Sequence, residues 1–221
     1  TVSETLKKYE WDDKKFYERK NKNLINYDKV FDEAGKYASL IKETLEQIGI
    51  NENTILIFFS DHGTGVGERF GERNYGSFTY EETIRSFYLF LGEKFLKGKK
   101  TEKLCETLDI MPTILELIGI NSIKLPGKSF AKFLSNENES LVDKNYVYSE
   151  TGALQGPYPS PMKPNVFCVK NSKYKLIFFE TPNEWRLFDL VNDPMEKKDI
   201  FDENSEIVKE LKNKLNSWIK R

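Results

Sequence analysis

The spacing of apolar and polar positions changes character along this chain, and the changes mark its elements. From Tyr27 the residues Tyr27, Val30, Phe31, Ala34, Tyr37, Ala38, Ile41, Leu45 and Ile48 recur at three- and four-residue intervals. That is the stripe of an amphipathic helix, and its apolar side is expected to be core. Gly49 stands where a helix C-terminal cap belongs. Two short, uninterrupted apolar runs follow, Thr54–Phe59 and Ser86–Leu91, which read as buried strands of a parallel sheet covered on both faces. Thr107–Gly119 reads as a second helix: Thr107 or Asp109 can cap it, Pro112 is tolerated in its first turn, and Gly119 ends it.

Beyond Leu125–Phe130 and the polar linker Asn136–Ser140 the apolar stretches crowd together. Asn145–Glu150, Asn165–Lys170, Lys173–Glu180 and Trp185–Leu190 predict an antiparallel meander with a tight turn at Asn171-Ser172. A closing helix is predicted from Ile207, Val208, Leu211, Leu215, Trp218 and Ile219, which fall on one face. The fold class is therefore α/β with a small C-terminal antiparallel subdomain, divided at residues 1–135 and 136–221.

Composition narrows the partners. The 221 residues carry 34 Lys and Arg against 35 Asp and Glu, a net charge of −1, which predicts neither a nucleic-acid partner nor a polybasic membrane contact. The charged, aromatic stretch 1–26 reads as a solvated surface arm, because its acidic residues neutralise its lysines. No apolar run approaches the roughly 20 residues that span a bilayer. The start, Thr1-Val-Ser-Glu-Thr-Leu-Lys-Lys8, lacks the apolar core of a signal peptide, and without an initiator Met it is expected to be an artificial or processing boundary. Cys105 and Cys168 are the only cysteines and read as buried free thiols, not as a disulfide framework. Localisation stays unknown, with low cysteine use pointing to the cytoplasm.

The candidate chemistry sits where the first apolar run ends, at Ser60-Asp-His-Gly63. In open α/β sheets the ligand crevice lies beyond the carboxyl ends of the strands. Asp61 and His62, the one histidine in the chain, stand at that end as a candidate metal pair. Gly63 lets the backbone turn and approach closely. An isolated Asp-His dipeptide reads more readily as a turn cap beside an ordinary loop histidine. Here the flanks decide: Gly65, Gly67, Glu68 and Gly71 follow, then Phe78-Thr-Tyr-Glu-Glu-Thr-Ile-Arg85 and the second apolar run.

This succession resembles the sulfatase family of the alkaline phosphatase superfamily. There a strand ending in Ser-Asp-His-Gly or Ser-Asp-Asn-Gly leads through a glycine-rich loop to a Tyr-Glu-Glu helix start and another strand. Asp109-Ile-Met-Pro-Thr-Ile-Leu-Glu-Leu-Ile-Gly119 is similar to a helix of that family, and Trp185-Arg-Leu-Phe-Asp-Leu-Val-Asn-Asp-Pro-Met-Glu196 to its ending. The resemblance runs from about Tyr27 to Arg221 and implies the second half of a sulfatase-like α/β sandwich.

The resemblance implies a sulfuric ester hydrolase with a divalent metal, Ca²⁺ first and Mn²⁺ second, bound in part by Asp61 and His62. Such a cation takes about six or more ligands, so this pair completes a site and does not make one. Family members carry further acidic ligands and a Cys/Ser-x-Pro-x-Arg segment, whose Cys or Ser becomes the formylglycine nucleophile. Neither cysteine here lies in that pattern, so the nucleophile and the remaining ligands are expected in a missing N-terminal half and this chain is expected to be inactive alone. No catalytic residue is assigned within it. Where the family commonly has lysine, this sequence offers Asn74 or Tyr75 with Arg73 beside them, so Arg73 is a possible contact to substrate or leaving group. The implied partner is a sulfated small molecule or carbohydrate, and an uncovered strand edge predicts self-association of the chain. Two alternatives stay open: a phosphodiesterase or phosphonate hydrolase of the same superfamily, and a degenerate, non-catalytic binding module.

Overall fold

The computed structural model describes residues 14–69, 78–120, 123–141, 144–152, 165–180 and 182–220. In chain order these form α1 (Lys14–Glu18), α2 (Lys20–Gln47), β1 (Leu56–Phe59), α3 (Glu81–Ile84), β2 (Tyr88–Leu91), α4 (Ile110–Leu117), α5 (Ala131–Ser135), β3 (Val147–Thr151), β4 (Val166–Lys170), β5 (Tyr174–Phe179), β6 (Glu184–Asp189) and α6 (Ser205–Ile219). They group into two compact units, each discontinuous in sequence. None of the described helices is long and apolar enough to cross a membrane.

The first unit gathers the described residues of 14–28, 62–86 and 146–220. Its centre is a four-stranded antiparallel meander, β3-β4-β5-β6. The predicted strands are present within one or two residues at each end. The tight turn at Asn171-Ser172 is closed by the Asn171 side chain, whose Oδ1 accepts from the backbone N–H of Lys173 at 2.8 Å and of Tyr174 at 2.7 Å.

Alternation along the strands sends residues to two covered faces. Phe167, Val169, Leu176 and Leu187 pack under Val208, Leu211 and Leu215 of α6. Val166, Cys168, Ile177, Phe179 and Phe188 pack against Phe78 and Tyr80. Cys168 is a buried free thiol, as expected, and burial pushes its pKa up; Cys105 is half-buried. Of the predicted inner face of α6, Ile219 proves exposed, at the helix's last residue.

The second unit gathers the described residues of 29–61 and 87–145. Here two expectations are corrected. β1 and β2 pair antiparallel, with Leu56 opposite Leu91 and Phe59 opposite Tyr88, as a two-stranded sheet and not as parallel strands. A continuous apolar run reports two covered faces and carries no information on strand direction, since mixed sheets use such runs as well. Nor are these runs fully buried, for Phe59, Phe87 and Leu89 are exposed.

The apolar stripe of α2 is the second correction. It is helical as predicted, yet no residue of α2 is buried, and Val30, Phe31, Tyr37 and Ile41 are exposed. Periodicity predicts a face that packs well, but it does not supply the surface to pack on. Phe31 meets Phe87 edge-on, with ring centroids 5.9 Å apart.

α4 is held at its start. Asp109 is buried: Oδ2 accepts from Glu106 N at 2.9 Å, Oδ1 accepts from Lys128 N at 2.7 Å, and Lys144 Nζ lies 2.7 Å from Oδ1. Gly127 (φ +99°) is required there, since a Cβ would stand 2.2 Å from Leu108 O.

Candidate functional site

β1 delivers the Ser60-Asp-His-Gly turn. Ser60 continues the ladder for one more step, its N–H donating to Phe87 O at 3.2 Å while its Oγ accepts from Phe87 N at 3.2 Å. Asp61 follows, exposed, and His62 is half-buried. His62 Nδ1 lies 2.6 Å from Gly63 O. A carbonyl can only accept, so a hydrogen bond here needs a proton on Nδ1, which in the neutral ring leaves Nε2 as the nitrogen able to ligate a metal.

Gly63 is the tightest point of the turn. Its N–H donates to Thr83 O at 2.8 Å, and a Cβ would stand 2.3 Å from Glu82 O. Only glycine permits that approach of two backbones. α3 itself is braced by the buried Thr83, whose Oγ1 donates within reach of Phe78 O (2.9 Å) and Tyr80 O (3.0 Å). The loop leaving Gly63 is pinned further on. Asn23 Nδ2 donates to Val66 O at 3.0 Å, and Glu68 Oε2 accepts from Val66 N at 2.7 Å. Arg69 lies over the Tyr80 ring at 3.9 Å, with Nε donating to Glu82 Oε1 at 2.5 Å and Nη1 to Glu196 O at 2.8 Å.

Beside α3 lies a cluster of charges that the apolar pattern had hidden. Lys175 Nζ is fully buried, 2.9 Å from Glu81 Oε1, 2.7 Å from Glu196 Oε1 and 3.0 Å from Thr79 O. Lys170 Nζ is 2.8 Å from both oxygens of Glu81. Burial works to raise the Glu81 carboxyl, but Lys175 and then Lys170 outweigh it and hold the pKa at about 2. Burial likewise works to lower Lys175, and Glu196 and Glu81 overcome it, so its pKa is raised. A sequence signal existed. A hairpin turning at Asn171-Ser172 places Lys170 directly opposite Lys175, as observed, and like charges opposite each other call for a carboxylate between them.

Arg73, with Asn74 and Tyr75, lies outside the described residues. Among the described residues no group of three or more His, Cys, Asp or Glu comes together to hold a metal. Asp61 offers a hard carboxylate oxygen and His62 an imidazole nitrogen, donor types that suit a divalent cation.

The family model described as "Sulfatase" matches residues 4–120, and that described as "N-sulphoglucosamine sulphohydrolase, C-terminal" matches residues 71–221. The chain is similar to an endo-4-O-sulfatase of Bacteroides thetaiotaomicron, 28% identical over 199 residues, covering 81% of this chain and 38% of the relative. It is similar also to an N-acetylglucosamine-6-O-sulfatase of that organism, 30% identical over 165 residues, covering 71% of this chain and 28% of the relative. Among solved structures, one in complex with its substrate D-glucosamine-2-N,6-O-disulfate superposes with a TM-score of 0.69 at 28% identity, over 82% of this chain and 37% of the other. A phosphonate monoester hydrolase of Agrobacterium radiobacter, at a TM-score of 0.65 and 18% identity over 81% of this chain and 37% of the other, shares the fold alone. The chain thus spans well under half the length of the proteins it matches.

Proposed function

This chain belongs to the sulfatase family, and we propose that it is the C-terminal part of a metal-dependent hydrolase of sulfate esters carried on a carbohydrate. One observation carries the reading: the turn after Ser60-Asp-His is locked at Gly63 by a backbone approach that only glycine allows, in the stretch that carries the Asp61 carboxylate and the His62 imidazole. A relative named as an N-acetylglucosamine-6-O-sulfatase, and a related structure in complex with a disulfated glucosamine, support the substrate class.

In this reading Asp61 offers an oxygen ligand and His62 offers Nε2, while Gly63 O holds the imidazole in the required tautomer. A Ca²⁺ ion, or Mn²⁺ as second choice, would offset the negative charge that builds on the sulfuryl oxygens. Arg73 would clamp those oxygens or the leaving group. As a guanidinium it binds charge well but is a poor proton donor. The nucleophile, a formylglycine in this family, would come from sequence outside these residues.

The test is turnover by the full-length protein that carries this segment, with glucosamine 6-sulfate, nitrophenyl sulfate and nitrophenyl phosphate as substrates. Sulfate-ester turnover should fall in Asp61→Asn by no less than the roughly 10–100-fold that loss of an outer-sphere metal partner costs. Preference for the phosphate ester would select the phosphohydrolase alternative. Full activity in both Asp61→Asn and His62→Ala would end the metal reading. The 221-residue chain alone is expected to turn over neither ester, since it brings no covalent step to assist.

A further inference from the structure

The Gly63 turn has an anchorage that neither its strand nor its proposed metal requires. Glu81 opens α3, and its backbone N–H donates to Glu196 Oε2 at 2.7 Å. Its carboxylate sits between Lys170 of β4 and Lys175 of β5, and Lys175 continues on to Glu196. Glu196 is buried and holds φ at +51°, a left-handed conformation that a non-glycine residue keeps only where its surroundings over-determine it. Three stretches far apart in sequence thus meet at one ion cluster, and α3, the element so fixed, is the one whose carbonyls clasp Gly63.

An apolar plug would have joined these elements too, and a buried ion pair is often no more stabilising than one. Apolar contact is non-directional and lets neighbours slide. Charged hydrogen bonds of 2.7–2.9 Å fix distance and register. We propose that Lys175, Glu81 and Glu196 are positioning residues: through α3 they set the Gly63 turn, and with it the imidazole of His62, from the C-terminal sheet. The use of that placement in catalysis rests on the reading of His62 as a metal ligand. The mechanical link from sheet to turn does not.

The test must separate positioning from simple support of the fold. Lys175→Met alone leaves the buried Glu196 without its lysine and can unfold the unit, so the informative variant is Lys175→Met/Glu81→Gln/Glu196→Gln, which removes Lys175 together with both its carboxylate partners and leaves only the partly exposed Lys170 without its ion pair. Two readouts apply, neither needing metal or substrate. Amide hydrogen exchange at Gly63 should quicken at least ten-fold while Leu176 and Ile177 of β5 keep their wild-type rates. The single histidine makes the His62 ring signals unambiguous in ¹⁵N NMR, and they should move from a fixed Nδ1–H tautomer toward an averaged one. Equal acceleration at Gly63 and in β5, or no change at Gly63, overturns the proposal. If Gly63 loosens and the tautomer averages while the full-length protein keeps its turnover, the link stands and the metal role of His62 falls.

Discussion

In the unit built on the meander, Val166, Val169, Leu176, Ile177, Phe179, Leu187, Leu211 and Leu215 show no exposed surface, whereas in the other unit Val30 is 69% exposed, Tyr37 62% and Ile48 61%. Both units come from stretches with a recognisable apolar periodicity. They differ in whether the complementary surface is encoded nearby. The meander's two faces are covered by α6 and by the Phe78–Tyr80 segment, both within this chain. The stripe of α2 is covered only in part: Ala38 and Leu45 are half-buried and Phe31 meets Phe87, while none of its residues is buried, in a chain that spans 38% of its endo-4-O-sulfatase relative. Apolar stripes of this extent are written for a partner surface, whether in the same chain or another.

The sharpest way to break that contrast is to truncate one side chain from each unit. Leu211→Ala removes a fully buried side chain from under the sheet and should destabilise by roughly 2–5 kcal/mol. Val30→Ala, on the exposed stripe, should stay within about 0.5 kcal/mol. Urea unfolding of the two variants measures both. Equal losses would mean that the stripe is covered in solution.

Acid sharpens the contrast next. The Glu81 carboxyl lies near 2 in the folded chain against an ordinary 4.5. A depressed carboxyl stabilises fully above its unfolded value and loses that contribution as pH falls through the folded one. The meander unit should therefore weaken between about pH 4.5 and 2, by an amount on the order of 3 kcal/mol. Burial raises Glu196, an effect of opposite sign that falls above pH 4.5, so the two windows separate. Glu81→Gln should flatten the acid limb of a stability-versus-pH series. An unchanged slope would show that the Lys170–Glu81–Lys175 bridge does not form.

Association is the next effect down. The 221-residue chain in isolation is predicted to self-associate through the α2 stripe. Light scattering should show an apparent mass that falls on dilution, and Val30→Lys with Ile41→Lys should hold it near the monomer value at all concentrations. A wild-type chain that is monomeric throughout would mean the stripe is already covered.

What could be read from the sequence divides along the same line. The meander was legible almost to the residue, because strands that alternate between two local covers carry their whole environment in their own pattern, and Asn171-Ser172 fixes the register. β1 and β2 were legible as strands but not in direction, since an uninterrupted apolar run is the same in either sense. The α2 stripe was legible as a helix and misread as core, because a pattern records what a face is suited to and not what is present to meet it. The Asp61-His62-Gly63 motif was visible from residue types. Its brace was not: Lys175 lies inside an apolar run, Glu196 lies 21 residues further on in a turn, and only the hairpin register shows why the two must meet.

Asp61→Asn should have the smallest effect on stability, and it decides between two readings of the same residue. Asp61 is exposed, and an isosteric amide keeps its shape and much of its capacity to accept hydrogen bonds. If the carboxylate is there chiefly for a cation, the free energy of urea unfolding without the ion should shift by less than about 0.5 kcal/mol. If Asp61 is instead an ordinary turn cap, charge-assisted bonds to backbone N–H groups are lost, and the expected loss is about 1 kcal/mol or more. Paired urea titrations of wild type and Asp61→Asn, with and without millimolar Ca²⁺, read both cases. A loss of that size without calcium would assign Asp61 to the turn, and the metal pair would then have to be given up, however closely the surrounding motif follows the family.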